Sequence, residues 1–136
     1  MIDFENEILT AIKDGMAEAG FEDVALFDEM LLAPSVFPCV CIEEIDNYTY
    51  VKTIDSASNE NHAFVAYEVN VYSNRTYDKK WECKDIFAVV SNVLTELGFT
   101  RLSMTPIYLN DTTVYRLVGR FRAVISKTGE ICNNRR

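Results

Sequence analysis

The sequence predicts an α+β domain: an antiparallel or mixed sheet of about four strands with two helices packed on one face. Three observations predict it. Two segments carry apolar residues at helical spacing, and each stops at a glycine, Gly20 or Gly98. The segments between and after them alternate or run apolar as strands do. Their order is helix, strand, strand, helix, strand, with adjoining strands joined by loops rather than by crossover helices.

The first helix covers residues 3 to 19. Phe4, Ile8, Ile12 and Met16 recur every four residues with Leu9 and Ala19 beside them, Asp3 is placed to cap, and Gly20 ends the run. Glu5, Glu7, Asp14 and Glu18 lie off that stripe, and early negative charge suits the helix dipole. Residues 21 to 35 connect, with a short strand or turn around Val24 to Phe27. A strand near 36–45, VFPCVCIEEI, is apolar on both faces in its first half and so central, with Pro38 near its start where a ladder donor can be spared. Residues 46 to 62 begin strand-like, giving a strand near 48–54, and then become a polar tip through Asp55, Ser56, Ser58, Asn59 and Glu60. That tip is expected to move in a free subunit.

The strand at 63–74 alternates, with Val65, Tyr67, Val69 and Val71 on one face and Ala66, Glu68, Asn70 and Tyr72 on the other. Asp78 is placed to cap a second helix, 78–97, whose stripe is Cys83, Phe87, Val90, Leu94 and Leu97, widened by Ile86 and Val93. Residues 99 to 113 read as extended but irregular, interrupted by Pro106 and an Asn110-Asp111 turn. YRLVGRFRAVI lies in the last strand, 114–126, and the end, 128–136, is expected to fray. Residues 1–136 read as a single domain.

An apolar fraction of 49% with 25% charged residues is the composition of a folded globular protein. No apolar run approaches the roughly 18 residues that cross a bilayer. The start, MIDFENEILT, lacks the basic region and apolar core of a signal peptide, so synthesis in the cytosol is expected, with the four cysteines as thiols. Net charge is -8, unevenly spread: residues 1 to 50 hold twelve acidic side chains against Lys13, while residues 51 to 136 hold nine acidic and twelve basic. An acidic and a basic surface on one subunit would suit head-to-tail contact between copies, unless the two halves pair within the subunit.

Catalytic and metal chemistry find little support. Cys39 and Cys41 share a strand face, but Cys83 is on a helix and His62 is the single histidine, so buried thiols are favoured over a zinc site. Glu43 and Glu44 are consecutive on a strand and point to opposite faces, which rules out a cooperating carboxylate pair. No phosphate-cradling glycine motif and no nucleophile elbow is present. Tyr48, Tyr50, Tyr67, Tyr72 and Tyr77, with Arg75 nearby, could stack on nucleic acid, but an acidic chain with a pI near 4.6 favours core and interface tyrosines.

The last strand is unusual. Arg116, Arg120 and Arg122 line one of its faces, opposite Leu117, Phe121, Ala123 and Ile125. Like charges so close need acids in answer. Glu68 and one of Glu43 or Glu44 can answer within the sheet, in cross-strand pairs worth roughly 0.2 to 1 kcal/mol each. The acidic helix face of a neighbour can answer between subunits.

An N-terminal helix ending at Gly20, the strand FPCVCIEEIDN, a polar loop, the strand YEVNVYSN, a helix ending in ELGF and the strand YRLVGRFRAVI together resemble the tail terminator proteins of long-tailed bacteriophages, also called tail-completion or head-to-tail joining proteins. The resemblance covers about residues 2 to 127 and is carried mainly by FPCVCIEE and YRLVGRFRA. It implies an α+β structural protein without catalysis or cofactor, which assembles with itself as a ring, usually a hexamer. Such a ring caps the tail tube protein, ends tube growth and meets the head connector or neck protein, and the genome DNA passes through its channel. The location implied is the tail-head junction of a virion made in a bacterial host, phage or prophage, with no membrane. On this expectation Arg116, Arg120, Arg122, Glu43, Glu44 and Glu68 are candidates for a subunit interface or channel wall, and the loop around residues 54 to 61, with Asp55, Ser56, Ser58, Asn59 and Glu60, is the candidate assembly loop, ordered on assembly. A head-completion or other neck-ring adaptor is the nearest alternative. Further off stand a small enzyme using His62 with Glu68 or a tyrosine, and a DNA-binding module built on the arginine strand.

Overall fold

Helix α1 spans Glu5–Glu18, and the expected apolar stripe turns Ile8, Ile12 and Met16 into the core. The computed structural model describes residues 5–28, 36–49, 62–107, 113–126 and 131–132. Asp3 and Phe4 lie outside them. Gly20, at φ 87°, takes the left-handed conformation that closes the helix, and the Phe21 N–H donates to the Met16 carbonyl at 2.8 Å. Helix α2, Lys79–Leu97, stops in the same way: Gly98 sits at φ 109° and the Phe99 N–H donates to the Leu94 carbonyl at 2.9 Å. The phenylalanine after each glycine turns back onto the core. Phe99 is fully buried and meets Tyr67 edge-on, with ring centroids 5.7 Å apart.

The start of α2 departs from expectation. Asp78 makes no side-chain cap and itself adopts φ 59°. The turn before it is braced instead by Glu82, which accepts from Ser73 Oγ at 2.6 Å and pairs with Arg75 Nη1 at 3.0 Å, while Arg75 Nε donates to the Tyr77 carbonyl.

The strands are β1 (Ala25–Phe27), β2 (Cys39–Thr49), β3 (His62–Ser73), β4 (Thr100–Ile107), β5 (Tyr115–Ser126) and β6 (Ile131–Cys132). They form one mixed sheet in the order β1-β2-β3-β5-β4, with β6 also paired to β5. The α+β class holds, with five strands along the main path instead of about four. β1 runs parallel to β2 and the other pairs are antiparallel.

Three corrections concern the strands. β2 is continuous through Thr49, where two strands were expected, and a register shift between Glu44 and Asp46 disguises the continuity; residues 50–54 lie outside the described set. β4 is one strand through Pro106, not interrupted there, though a register shift between Arg101 and Ser103 keeps it irregular; its one neighbour among the described strands is β5, and an edge tolerates a proline's missing N–H. Within the end expected to fray, Ile131 pairs with Ile125.

α2 packs across β3, β5 and β4, and α1 packs on α2. Beneath them lie Val40 and Ile42 of β2, Tyr67, Val69 and Val71 of β3, and Leu117, Phe121 and Ile125 of β5, all essentially fully buried. Each such side chain contributes about 1.5–3 kcal/mol on burial. Two glycines set the spacing. A side chain on Gly119 would collide with the Phe87 ring, and one on Gly15 would collide with Val93 of α2. On the face turned away from the helices, Cys39, Cys41 and Tyr72 form a second apolar cluster with Phe27 and Phe37.

Candidate functional site: a charged strip across the sheet

The register gathers charge on the sheet face opposite the helices. Glu68 of β3 stands between Glu43 of β2 and Arg120 of β5 in one cross-strand row. Arg116 lies beyond, paired with Tyr72, and Arg122 lies on the other side, paired with Ala66. The shift in β2 turns the strand over, so Asp46, opposite Ala66, joins this face while Glu44, opposite Tyr67, belongs to the helix side.

Two arginines converge on one carboxylate. Arg120 Nη2 is 3.4 Å from Glu68 Oε2 and Arg116 Nη2 is 3.9 Å from Glu68 Oε1. Arg116 Nε also donates to Asn70 Oδ1 at 2.9 Å, Asn70 Nδ2 donates to Glu68 Oε1 at 3.2 Å, and the Arg116 guanidinium lies 5.7 Å from the Tyr72 ring centre. Asn70 is wholly buried, Glu68 nearly so, and the Arg116 side chain is 19% exposed. This part of the strip is internal structure. The Arg120 side chain, by contrast, is 57% exposed. Arg122 is exposed, with its guanidinium 5.4 Å from the Phe64 ring centre, and Glu43 is half-buried.

Glu44 has a separate task. Its Oε1 accepts from the Tyr67 hydroxyl and from Asn47 Nδ2, both at 3.1 Å, and so supplies the polar partner that a buried tyrosine needs. Consecutive Glu43 and Glu44 do face opposite ways. Asp55, Ser56, Ser58, Asn59 and Glu60 lie outside the described residues. His62 opens β3 opposite Ser126, and its side chain lies outside them too.

The fold has a virion counterpart. Over 89% of this chain and 90% of the other, it is similar to a chain in the structure "Virion of native gene transfer agent (GTA) particle", with 16% sequence identity and a TM-score of 0.55. No family model matches the chain, and no curated protein matches it.

Burial disfavours the thiolates of Cys39 and Cys83. A hydrogen bond with Cys41, together with burial, raises the Cys39 thiol well above its usual range, and burial pushes Cys83 up to about 12. Cys83 Sγ donates to the Val71 and Tyr115 carbonyls, each at 3.7 Å. Among the described residues no cluster of histidine, cysteine and acid has metal-binding geometry, and no helix is long and apolar enough to cross a membrane. A cleft of about 740 Å³ between α1 and β1 has walls that include Leu9, Met16, Phe21 and Leu26. Tyr67 and Tyr72 are buried, Tyr115 is half-buried and Tyr77 is exposed, while the side chains of Tyr48 and Tyr50 lie outside the described residues. Sequence reasoning did not anticipate the buried Asn70, because a polar residue on a strand face reads as solvated until its arginine partner is located.

Proposed function

We propose that the chain is a non-enzymatic structural protein of a phage-type virion, and within that class a tail terminator. The observation that carries this reading is the likeness to a virion chain across about nine-tenths of both chains. The order of elements that first suggested the resemblance supports it. The subunit would join further copies of itself in a closed ring, hexameric as in the family it resembles. That ring would sit on the end of the tail tube protein, stop its polymerisation and present a surface to the head connector or neck protein. DNA would pass through its channel without sequence-specific contact, and no cofactor or membrane takes part.

Exposed Arg120 and Arg122, and half-buried Glu43 on the other side of Glu68, are the part of the strip open to a neighbour or to the channel. Arg116, Glu68 and Glu44 hold the subunit itself together. Residues 54 to 61 remain the candidate assembly loop. The test is to add the purified protein to growing tubes of its cognate tail tube protein and to image the tube ends by electron microscopy. Rings at the ends and arrested growth are expected. Tubes that lengthen unchanged and carry no ring overturn the reading, and rings found on isolated connectors instead move it to a neck adaptor.

A further inference from the structure

The subunit has two unlike ends. Strand order puts β1 and β4 at opposite edges of the sheet, and the helices divide likewise: α1 lines a cleft with β1, while α2 reaches over β4. At the β1 end the cleft is apolar, with Glu22 and Asp28 on its walls and Lys13 as a cation among them. This end is acidic, since residues 5 to 28 carry seven acidic side chains against Lys13. At the β4 end Leu102 and Met104 are 52% and 40% exposed, beside exposed Arg101. Lys84, Arg101 and Met104 line one hollow between α2 and β4. Next to it stands Trp81, 58% exposed, with the Lys80 and Lys84 ammonium groups 5.7 and 5.0 Å from its ring centre. Asp85 is a nearby acid, one helical turn from Trp81.

We propose that the α1–β1 cleft receives the β4 edge of a second copy, with Leu102 and Met104 entering it and Arg101 meeting Glu22 and Asp28. The inference rests on the reading of the chain as a ring subunit and names the faces that meet. Large apolar side chains held in solvent beside charge, with an exposed tryptophan flanking them, mark an association surface. An apolar cleft with an acidic rim and an apolar edge with basic flanks are complementary in both respects. Because the faces differ and lie at opposite ends, the contact is heterologous, and each copy can both give and receive it. The principal contact therefore lies at the two ends of the sheet, its β4 side bordering the arginine strip of β5.

The experiment uses the full chain in a Cys132→Ser background, with Leu102→Cys in one preparation and Ala17→Cys in another; Ala17 is an exposed residue of the cleft. Under mild oxidation the mixture should form a covalent dimer that neither preparation forms alone, and a chain carrying both changes should form a ladder. Arg101→Glu should weaken association at least tenfold, as should Glu22→Lys with Asp28→Lys, and combining all three should restore most of the loss. Self-crosslinking of Leu102→Cys alone, or no crosslink while the unaltered protein assembles, overturns the assignment of faces and leaves the ring reading intact. A protein that stays monomeric and uncrosslinked at high concentration also overturns it. Crosslinking through these cysteines by a protein that caps no tubes would keep the contact and remove the terminator reading.

Discussion

Arg116 and Arg120 share one carboxylate but differ in what their loss leaves behind. Removing Arg116 takes the donor from buried Asn70 Oδ1 and one of two cations from Glu68, so Arg116→Ala is expected to cost about 2–3 kcal/mol in urea unfolding. Arg120→Ala removes a largely exposed partner and should cost under about 1 kcal/mol. Gly119→Ala should destabilise by about 1–3 kcal/mol by driving a methyl group into Phe87, and Phe87→Leu in the same chain should recover part of that. The Cys83 thiol is raised from the usual 9.0 to about 12, so its neutral form is favoured by folding. That contribution is fully present below pH 9.0 and is lost as pH climbs toward 12; Cys83→Ala should flatten this part of the alkaline stability profile. The arginine face and Glu68 as its answer were legible in the sequence, because alternation alone assigns strand faces. Which of Glu43 and Glu44 shared that face was not, since it depends on register with Glu68 and Tyr67 on the next strand.

Helices α1 and α2 were legible nearly to the residue, because apolar spacing and a Gly-Phe stop coincide at both. The sheet was less so. β1 is three residues long, β4 hides behind Pro106, and the shift at Ile45 breaks the alternation of β2. Strand order rests on contacts distant in sequence and cannot be counted from local pattern. The helix crossing was also invisible, for Gly15 reads as a weak point in α1 until Val93 is seen against it. Gly15→Ala should therefore destabilise despite a helix-propensity gain of about 1 kcal/mol. A double-mutant cycle with Val93→Ala should show coupling of about 1 kcal/mol or more.

At the scale of the molecule, opposite charges border the apolar surface at the two ends of the sheet. If copies meet through those ends, association followed by light scattering should weaken as salt rises from about 0.05 to 0.5 M, because the basic flanks and acidic rim are screened while the apolar part persists. A subunit with only its β4 edge damaged would keep a working cleft. It would accept one neighbour and offer nothing to the next, so it would enter a growing chain of copies and block its closure. In a host producing both forms, such a variant would behave as a dominant poison, reducing finished rings far below the share of sound subunits, whereas one damaged at both ends would be silently diluted.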